Sequence, residues 1–471
     1  MVLFSTMPHS LFMALMTGAK PHADPSPTRK IYILIMLGLV TALAMMDRNI
    51  LNILLIPIQN EIGASDTAMG LLTGTAFAAA YATAAIPLSR IADRGNRRSL
   101  LAAALAVWSG ATALCGLAAS YMHLLLARVG VAGGEAAANP AIMSMISDLY
   151  PPNRRATAIG CTLIGTGVGV FMGAAFGGYI SETIGWRTAF VVVGLPGVLI
   201  ALVIWLTVPE PIRGASEGGL TPDPDSETLR RTIRYLARIP SFRYIVLAKS
   251  FVQIASQAAM IWFPAYLIRV HDMSVMETGF WYGMAIAGAT IVAAVLGGTA
   301  SDFLARRGTV WYLRFCMFSM ATSLPCAIVL AFAGSQQLAL VMVFLYGTFS
   351  AMNTTPSMAA ALAIVRPRMR GFMTAVVNFC FNFIGAGIGG LLIGALNDAL
   401  APRFGEEAIR YSLLSMPVVI VLAALFYWLA TRTIEADVQT AQSPSATPSS
   451  DHGRIKDRDA SMTQQPRDPR G

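Results

Sequence analysis

Four charged residues lie inside long apolar stretches of this sequence. Asp47 and Arg48 occur near the middle of the first such stretch, and Arg128 and Glu135 occur in the fourth. Apolar runs of this length predict membrane-spanning helices. A charge near the centre of such a helix costs about 2.5–3.5 kcal/mol on insertion scales, so these residues usually face a bundle interior or a water-filled cavity. The pattern favours a proton- or ligand-binding site, with a static ion-pair network between helices as the alternative.

The spacing of the polar residues in the fourth stretch places them on one helix face. Arg128 and Glu135 are seven residues apart, and Asn139 follows four residues later. At about 100° per residue, these three side chains project to the same side. A polar stripe on an otherwise apolar helix points toward the protein rather than toward lipid. We therefore expect Asp47 and Arg48 to meet this stripe in one cavity, where four charges form a cluster.

The composition is that of an integral membrane protein. Of the 471 residues, 55% are hydrophobic and 13% are charged, whereas a soluble protein has about 25% charged residues. The net charge of +9 does not indicate nucleic-acid binding, because the positive residues occupy alternate loops. The five cysteines lie in apolar runs and the five histidines in tails or at helix ends. The sequence therefore predicts no metal site and no cofactor, and no nucleophile or phosphate-binding pattern indicates an enzyme.

Twelve segments are long enough and apolar enough to cross a bilayer. We number them span 1 to span 12, and their predicted residues are 31–59, 66–89, 99–119, 121–149, 155–181, 186–208, 243–269, 275–302, 310–332, 335–364, 370–397 and 409–432. Lysine and arginine concentrate in every second loop, and the intervening loops contain only Arg187, Arg269, Arg403 and Arg410. The positive-inside rule then places both termini in the cytoplasm. We expect a multi-pass protein of the bacterial inner (plasma) membrane.

The spans form two similar halves. Span 5 contains Ile-Gly-Thr-Gly-Val-Gly from Ile164, and span 11 contains Ile-Gly-Ala-Gly-Ile-Gly from Ile384. Such runs of small residues suggest close helix packing. We predict an all-α integral membrane protein whose twelve transmembrane helices form two pseudo-symmetric six-helix bundles. Its expected parts are a cytoplasmic N-terminal tail, a first half, a cytoplasmic central loop, a second half and a disordered cytoplasmic tail, at 1–30, 31–208, 209–242, 243–433 and 434–471.

Several motifs resemble a known family. The segment Pro-Leu-Ser-Arg-Ile-Ala-Asp-Arg-Gly-Asn-Arg-Arg at 87–98 resembles the signature between helices 2 and 3 of the major facilitator superfamily, although Ser89 and Asn96 stand where the general pattern has glycine. This resemblance extends over residues 31–433. Four segments resemble the spinster-like branch of the superfamily more specifically, and all lie in the first half: 46–49, 92–98, 127–136 and 147–155.

The resemblance implies a transporter that alternates access to a midplane site between its halves. It also implies that Asp47, Arg48 and Glu135 serve proton coupling and substrate binding. We expect Glu135 to be the main proton carrier, because it lies two helical turns from Arg128 among glycine and alanine residues. Arg48, adjacent to Asp47, is expected to keep that carboxylate ionised. Protonation of Glu135 would then release an arginine for an anionic head group.

Charged residues at the cytoplasmic ends of spans 2, 4 and 8 are predicted to form an inner gate. The gate residues are Asp93, Arg94, Arg97, Arg98, Asp148, Arg155, Asp302 and Arg306. Bonds among them would hold the inner helix ends together in the outward-facing state and break when the inner side opens. The alternative is that the arginines only satisfy the positive-inside rule.

Polar residues of the second half are expected to complete the substrate site. Lys249, Gln253 and Gln257 recur every four residues along one face of span 7, although Lys249 near the inner end could extend to the surface instead. Aromatic residues in spans 7 and 11 favour a substrate with an apolar part. The predicted substrate-binding residues are Arg48, Arg128, Asn139, Gln253, Gln257, Asn353, Asn378 and Asn382.

These features predict a secondary transporter that moves an amphiphilic or lipid-like small molecule with proton coupling. We expect a monomer in the lipid bilayer, with protons and a small molecule as its partners and without nucleic acid. One alternative is a proton-coupled carrier of organic anions or drugs, since Arg48 and Arg128 suit a carboxylate. Another is a membrane sensor that keeps the fold without transporting.

Overall fold

The computed structural model describes residues 26–213, 229–365 and 369–442, and these residues contain helices but no strand. The helices of the first half are Pro27–Ile53, Leu55–Ile62, Asp66–Gly70, Ala76–Arg94, Arg97–Cys115, Tyr121–Glu135, Ala138–Leu149, Pro152–Thr183 and Trp186–Thr207. Those of the second are Leu229–Arg238, Pro240–His271, Val275–Ala305, Thr309–Ala331, Gln336–Ala351, Thr354–Ala363, Arg370–Cys380, Gly387–Phe404, Ala408–Leu413 and Ser415–Gln442. Two π-helical turns interrupt spans 2 and 11: Leu71–Thr75 and Phe381–Ala386. The predicted tails lie largely outside the described residues.

The helices account for the twelve predicted spans. Ten stretches of the described residues are long and apolar enough to cross a membrane. Span 4 is not among the ten because it breaks after Glu135 into helices of 15 and 12 residues. Spans 11 and 12 belong to one of the ten, Val376–Thr440, and are separated by a turn at Gly405. The fold is therefore the predicted all-α arrangement of two six-helix bundles.

Serine residues begin four spans on the same side of the molecule. Ser65, Ser120, Ser274 and Ser335 each accept a hydrogen bond from the backbone N–H three residues later, at 3.1–3.3 Å. Each hydroxyl thus satisfies a backbone donor that the first helical turn leaves free. Spans 2, 4, 8 and 10 start here, on the side predicted to face away from the cytoplasm, which we call the outer side.

Glycines bring spans 1 and 5 into backbone contact. A β-carbon on Gly169 would lie 2.1 Å from the carbonyl oxygen of Ala42, and one on Gly165 would lie 2.3 Å from that of Gly38. Real β-carbons do not approach backbone this closely, so only glycine fits at these positions. The small-residue run in span 5 therefore packs two helices together, as predicted. This contact fixes the depth of Asp47, which lies five residues after Ala42.

The two halves meet closely on the outer side. A β-carbon on Gly70 of span 2 would lie 2.4 Å from the carbonyl oxygen of Gly390 in span 11. The equivalent contact in the other helix pair joins Gly178 of span 5 to the carbonyl oxygen of Val275 in span 8, at 2.5 Å. The two contacts are equivalent under the internal repeat, because span 8 corresponds to span 2 and span 11 corresponds to span 5. They bring the two bundles together at their outer ends.

Polar residues reinforce this closure, and we call them the outer lock: Gln59, Asp66, Arg269 and Asp398. Arg269 of span 7 donates to both carboxylate oxygens of Asp66, at 2.6 and 2.7 Å, and to Gln59 at 2.7 Å. Asp398 of span 11 accepts from the backbone N–H groups of Asp66 and Thr67, at 3.0 and 2.8 Å. A carboxylate at a helix N-terminus is favourably placed. Each half therefore contributes one carboxylate that accepts hydrogen bonds from the other half.

Candidate functional site

A cavity lies between the halves, below the outer lock. Its volume is about 270 Å³. Arg48 and Arg128 line it from the first half, and Gln253, Gln257 and Asn382 line it from the second. A neighbouring cavity of about 250 Å³ shares Arg48, Tyr81 and Asn382 with the first and adds Glu135 and Asn139. Six of the eight residues predicted to bind substrate thus lie around these two cavities.

Arg48 forms an ion pair with Glu135 across spans 1 and 4. The distance from Nη2 to Oε1 is 2.6 Å, with the Glu135 side chain 4% exposed and that of Arg48 30% exposed. The guanidinium also lies over the rings of Phe77 and Tyr81, 5.0 and 5.3 Å from their centroids. Aromatic faces attract cations at this range. Arg48 is therefore held by an acid and two rings while part of it faces the cavity.

Asp47 has a different environment. The residue is 1% exposed, and Arg128 Nη1 donates to its backbone carbonyl at 3.1 Å. Among the described residues, the Asp47 Oδ1 atom has no hydrogen-bond partner, nor have the indole N–H of Trp108 or the hydroxyl of Thr112. Arg48 bonds to Glu135 rather than to Asp47, which differs from the expected pairing, and the ionisation of Asp47 stays a prediction. The two residues are adjacent in sequence, but successive helical side chains point about 100° apart.

The remaining predicted substrate residues divide into two groups. Asn139, Gln253, Gln257 and Asn382 line the cavities. Asn353 is instead buried within the second half, where its amide donates to the Ser350 carbonyl at 2.6 Å and accepts from the Tyr427 hydroxyl at 3.1 Å. Asn378 is exposed, and its carbonyl accepts from the Asn382 amide at 2.9 Å. Asn353 therefore bonds within the second half instead of lining either cavity.

Sequence reasoning missed the aromatic residues that the first half contributes to the site. Phe77 lies between the two arginines, with the Arg128 guanidinium also 5.0 Å from its centroid. Phe77 and Tyr81 are four residues apart on span 2, which places them on one helix face. That four-residue spacing is the sequence signal by which Phe77 and Tyr81 could have been selected. Trp108 and Thr112 share the same spacing on span 3 and face Asp47, but an apolar helix offers many such pairs.

The inner cluster is partly described. Arg97 is 1% exposed and binds Asp148, Glu210 at 2.8 Å and the Pro211 carbonyl at 2.7 Å. The backbone N–H of Arg98 donates to Glu210 at 2.8 Å. These bonds join the inner ends of spans 3 and 4 to the start of the central loop after span 6, and none of them reaches the second half. Glu210, which the sequence analysis did not select, completes the cluster.

The other predicted gate residues are Arg155, Asp302, Arg306, Asp93 and Arg94. Arg155 donates to the carbonyls of Tyr150 and Ser147, at 3.0 and 2.7 Å. Asp302 and Arg306 are exposed at the end of span 8. The side chains of Asp93 and Arg94 lie outside the described residues. A gate between the halves therefore stays a prediction.

Two six-helix bundles, closed together at one side over a charged cavity, define a multi-pass membrane transporter of the alternating-access type. The family model of the Major Facilitator Superfamily matches residues 37–390, and the chain belongs to that superfamily, in its spinster-like branch. A solved structure of a bacterial homologue of the human lysosomal transporter Spinster, inward-facing and unoccupied, is 31% identical with a TM-score of 0.79. That match covers 88% of this chain and 99% of the other.

Two relatives match over most of their length. An MFS-type efflux pump of Mycolicibacterium smegmatis is 29% identical over 419 residues, which are 88% of this chain and 96% of the relative. The sphingosine-1-phosphate transporter SPNS2 of Danio rerio is 26% identical over 413 residues, which are 82% and 81% of the two chains. The similarity thus extends across both halves.

Proposed function

We propose that this protein is a proton-coupled transporter of an amphiphilic organic anion. It acts as a monomer in the bacterial inner membrane, with both termini in the cytoplasm. The observation that carries the proposal is the position of Arg48 and Arg128 in one cavity, beside Asp47 and Glu135. Two guanidinium groups suit a phosphate or carboxylate, and two acids beside them suit proton exchange.

The cavity lining supports an amphiphilic substrate. Phe77, Tyr81, Met260 and Phe381 lie among the polar residues of the larger cavity, so apolar surface adjoins the arginines. An anionic head group would meet Arg48 and Arg128 while an alkyl chain meets the aromatic side. SPNS2, by its name, transports sphingosine 1-phosphate, which has this chemistry. The charge of the head group and the apolar lining together favour an amphiphile over a small acid.

The sequence favoured Glu135 as the proton carrier, and that prediction is untested; from the pairing of Glu135 with Arg48 we now propose Asp47 as the carrier of the transported proton. An isolated carboxylate at this depth is costly unless an opposite charge bonds to it. Arg48 is committed to Glu135, and Arg128 donates to the Asp47 backbone rather than to its carboxylate. With Asp47 protonated, the Arg128 charge is available to a substrate anion. When Asp47 loses its proton, it competes with that anion for Arg128, and this competition couples the two gradients.

The outer closure supports assignment of this conformation to the inward-facing state. The outer lock and the Gly70–Gly390 contact join the halves on that side. The similar bacterial homologue was solved in an inward-facing conformation. In the outward-facing state the outer lock must break, which exposes Asp66 and Arg269 to water.

The proposal is tested in proteoliposomes that contain the purified protein. Three labelled compounds are compared: 1-oleoyl lysophosphatidate, D-gluconate and the uncharged 1-monooleoylglycerol. We expect counterflow of the lysophosphatidate and its accumulation after a pH step. Accumulation of gluconate alone would assign the organic-acid alternative, to which the two arginines are equally suited. Binding of the amphiphile without counterflow would contradict transport and favour a sensor.

A further inference from the structure

Lys249 is a buried cation that the proposed proton and substrate steps do not use. It lies on span 7, one helical turn before Gln253, and is 5% exposed. Its ammonium donates to the Ser357 hydroxyl of span 10 at 2.9 Å. In the described part of the chain, no carboxylate forms an ion pair with it. A buried ammonium normally has a counter-charge. We therefore expect Lys249 to be able to bind an additional anion.

The charge balance around the cavity points the same way. With Asp47 protonated, as the proposed coupling requires when substrate binds, Arg48, Arg128 and Glu135 leave one positive charge in the first half, and Lys249 adds one in the second half. A substrate anion therefore meets one uncompensated positive charge in each half. The Ser357 hydroxyl already donates to the Thr354 carbonyl at 3.1 Å, which orients its oxygen to accept from the ammonium. Of the three ammonium hydrogens, two remain for other acceptors.

Phe381 separates Lys249 from the cavity. The ring centroid lies 5.3 Å from the ammonium, and the same residue lines the cavity. Phe381 is the first residue of the π-helical turn in span 11. Gly385, one turn later, packs on Gln253, where an added β-carbon would lie 2.3 Å from the Gln253 Cβ. The pairs Phe381–Lys249 and Gly385–Gln253 are thus successive contacts along the same helix interface.

The π-turn gives the ring a means of moving. Single π-helical turns hold one residue more than an α-helical turn and occur frequently at functional sites. A change of the Phe381 side-chain rotamer would connect the ammonium to the space between Gln253 and Asn382, both of which line the cavity. The aromatic face stabilises the cation while the anion is absent. Displacement of the ring replaces that weak contact by a charge-assisted hydrogen bond.

We propose that Lys249, covered by Phe381, is a second anion-binding subsite. This subsite binds the phosphate or carboxylate of the substrate after that group leaves the arginines of the first half. This inference rests on the proposed function in that it takes the substrate to be an anion. Ser357 positions the ammonium, and Gln253 and Asn382 line the path between the two cationic positions. The subsite gives each half one point of contact with the same acidic group.

Equilibrium binding to the purified full chain tests the subsite. The probes are 1-oleoyl lysophosphatidate and the uncharged 1-monooleoylglycerol. Lys249→Gln should weaken binding of the lysophosphatidate about tenfold, the loss expected for one charge-assisted bond, and leave the uncharged probe unchanged. Lys249→Arg should restore most of the affinity. Arg403→Gln, which removes an exposed charge on the outer side, is the matched control.

Phe381→Ala provides a second measurement, which tests whether the ring covers position 249. In a Lys249→Cys variant whose native cysteines are replaced by serine, Phe381→Ala should speed modification of the new thiol by a small anionic thiol reagent. This readout needs no substrate, so it separates the subsite from the proposed transport function. The subsite is refuted if Lys249→Gln weakens both probes equally or if Phe381→Ala leaves the modification rate unchanged. A wild type that binds no lysophosphatidate would contradict the proposed amphiphilic substrate, and the modification rate would then decide on the subsite.

Discussion

Among the described residues, the carboxyl group of Asp47 forms no ion pair, and the neighbouring Arg128 donates to its backbone carbonyl instead. Asn has the shape of a protonated Asp, so Asp47→Asn should fold with a free energy of unfolding within about 1 kcal/mol of the wild type. It should lose substrate accumulation after a pH step and keep counterflow, because the proton site is removed while Arg48 and Arg128 remain. Paired thermal unfolding and proteoliposome assays check this. Retained pH-driven accumulation would show that the proton binds elsewhere.

Glu135 should respond differently, because its carboxylate forms the 2.6 Å ion pair with Arg48. Glu135→Gln removes that pair and should reduce stability by about 1–2 kcal/mol, less than for a fully buried pair because Arg48 is partly exposed. The freed arginine should bind lysophosphatidate severalfold more tightly. Thermal unfolding and equilibrium binding measure both effects. Glu135→Asp, which keeps the charge, is the control, and unaltered affinity in Glu135→Gln would contradict the role given to Arg48.

The sequence identified the charged residues of the site but not their pairing. A charge inside an apolar run is conspicuous, so Asp47, Arg48, Arg128 and Glu135 were all selected. Which acid meets which arginine depends on side-chain direction around the helix and on the neighbouring span, and neither is visible in one sequence. Asn353 illustrates the converse, because a polar residue in an apolar helix can serve the internal packing of its own half.

At the scale of single helices, the Gly70–Gly390 contact joins spans 2 and 11 at backbone distance. Gly70→Ala would place a methyl group 2.4 Å from the Gly390 carbonyl oxygen, so the outer side cannot close without displacement of a helix. We expect a shift toward the outward-facing state, seen as a longer distance between spin labels at the exposed positions Met122 and Gln337. Gly110→Ala is the matched control, since its β-carbon meets nothing within 4 Å.

Hydropathy predicted the membrane-spanning helices but not the irregular turns within them. All twelve spans were predicted from apolar length, and the Gly-rich run of span 5 indicated its packing on span 1. The break after Glu135 and the π-turns at Leu71–Thr75 and Phe381–Ala386 had no comparable signal. An irregular turn shifts the side chains that follow it by about one residue position. Hydropathy averaged over a whole span does not detect so small a shift.

For the whole molecule, we expect the outer lock to set the balance between the inward-facing and outward-facing states. Arg269 binds Asp66 through a two-pronged contact that lysine cannot reproduce, so Arg269→Lys should open the outer side partly and Arg269→Gln more fully. Both should raise the Met122–Gln337 spin-label distance distribution toward that of Gly70→Ala. Because lock and glycine contact act on one equilibrium, the effect of the Gly70→Ala and Arg269→Gln double variant should saturate. Independent, additive changes would contradict a single two-state motion.

The unbonded donors around Asp47 also make this site an optical sensor of its own proton. In this conformation the Trp108 N–H and the Thr112 hydroxyl remain unpaired, and each unmade buried bond costs roughly 1–3 kcal/mol. Both donors face the Asp47 side chain, and a carboxylate accepts hydrogen bonds more strongly than a protonated carboxyl group does, so ionisation of Asp47 would favour a bond from the indole N–H. The indole would then report the event as a change in fluorescence, in a variant that retains Trp108 as its sole tryptophan.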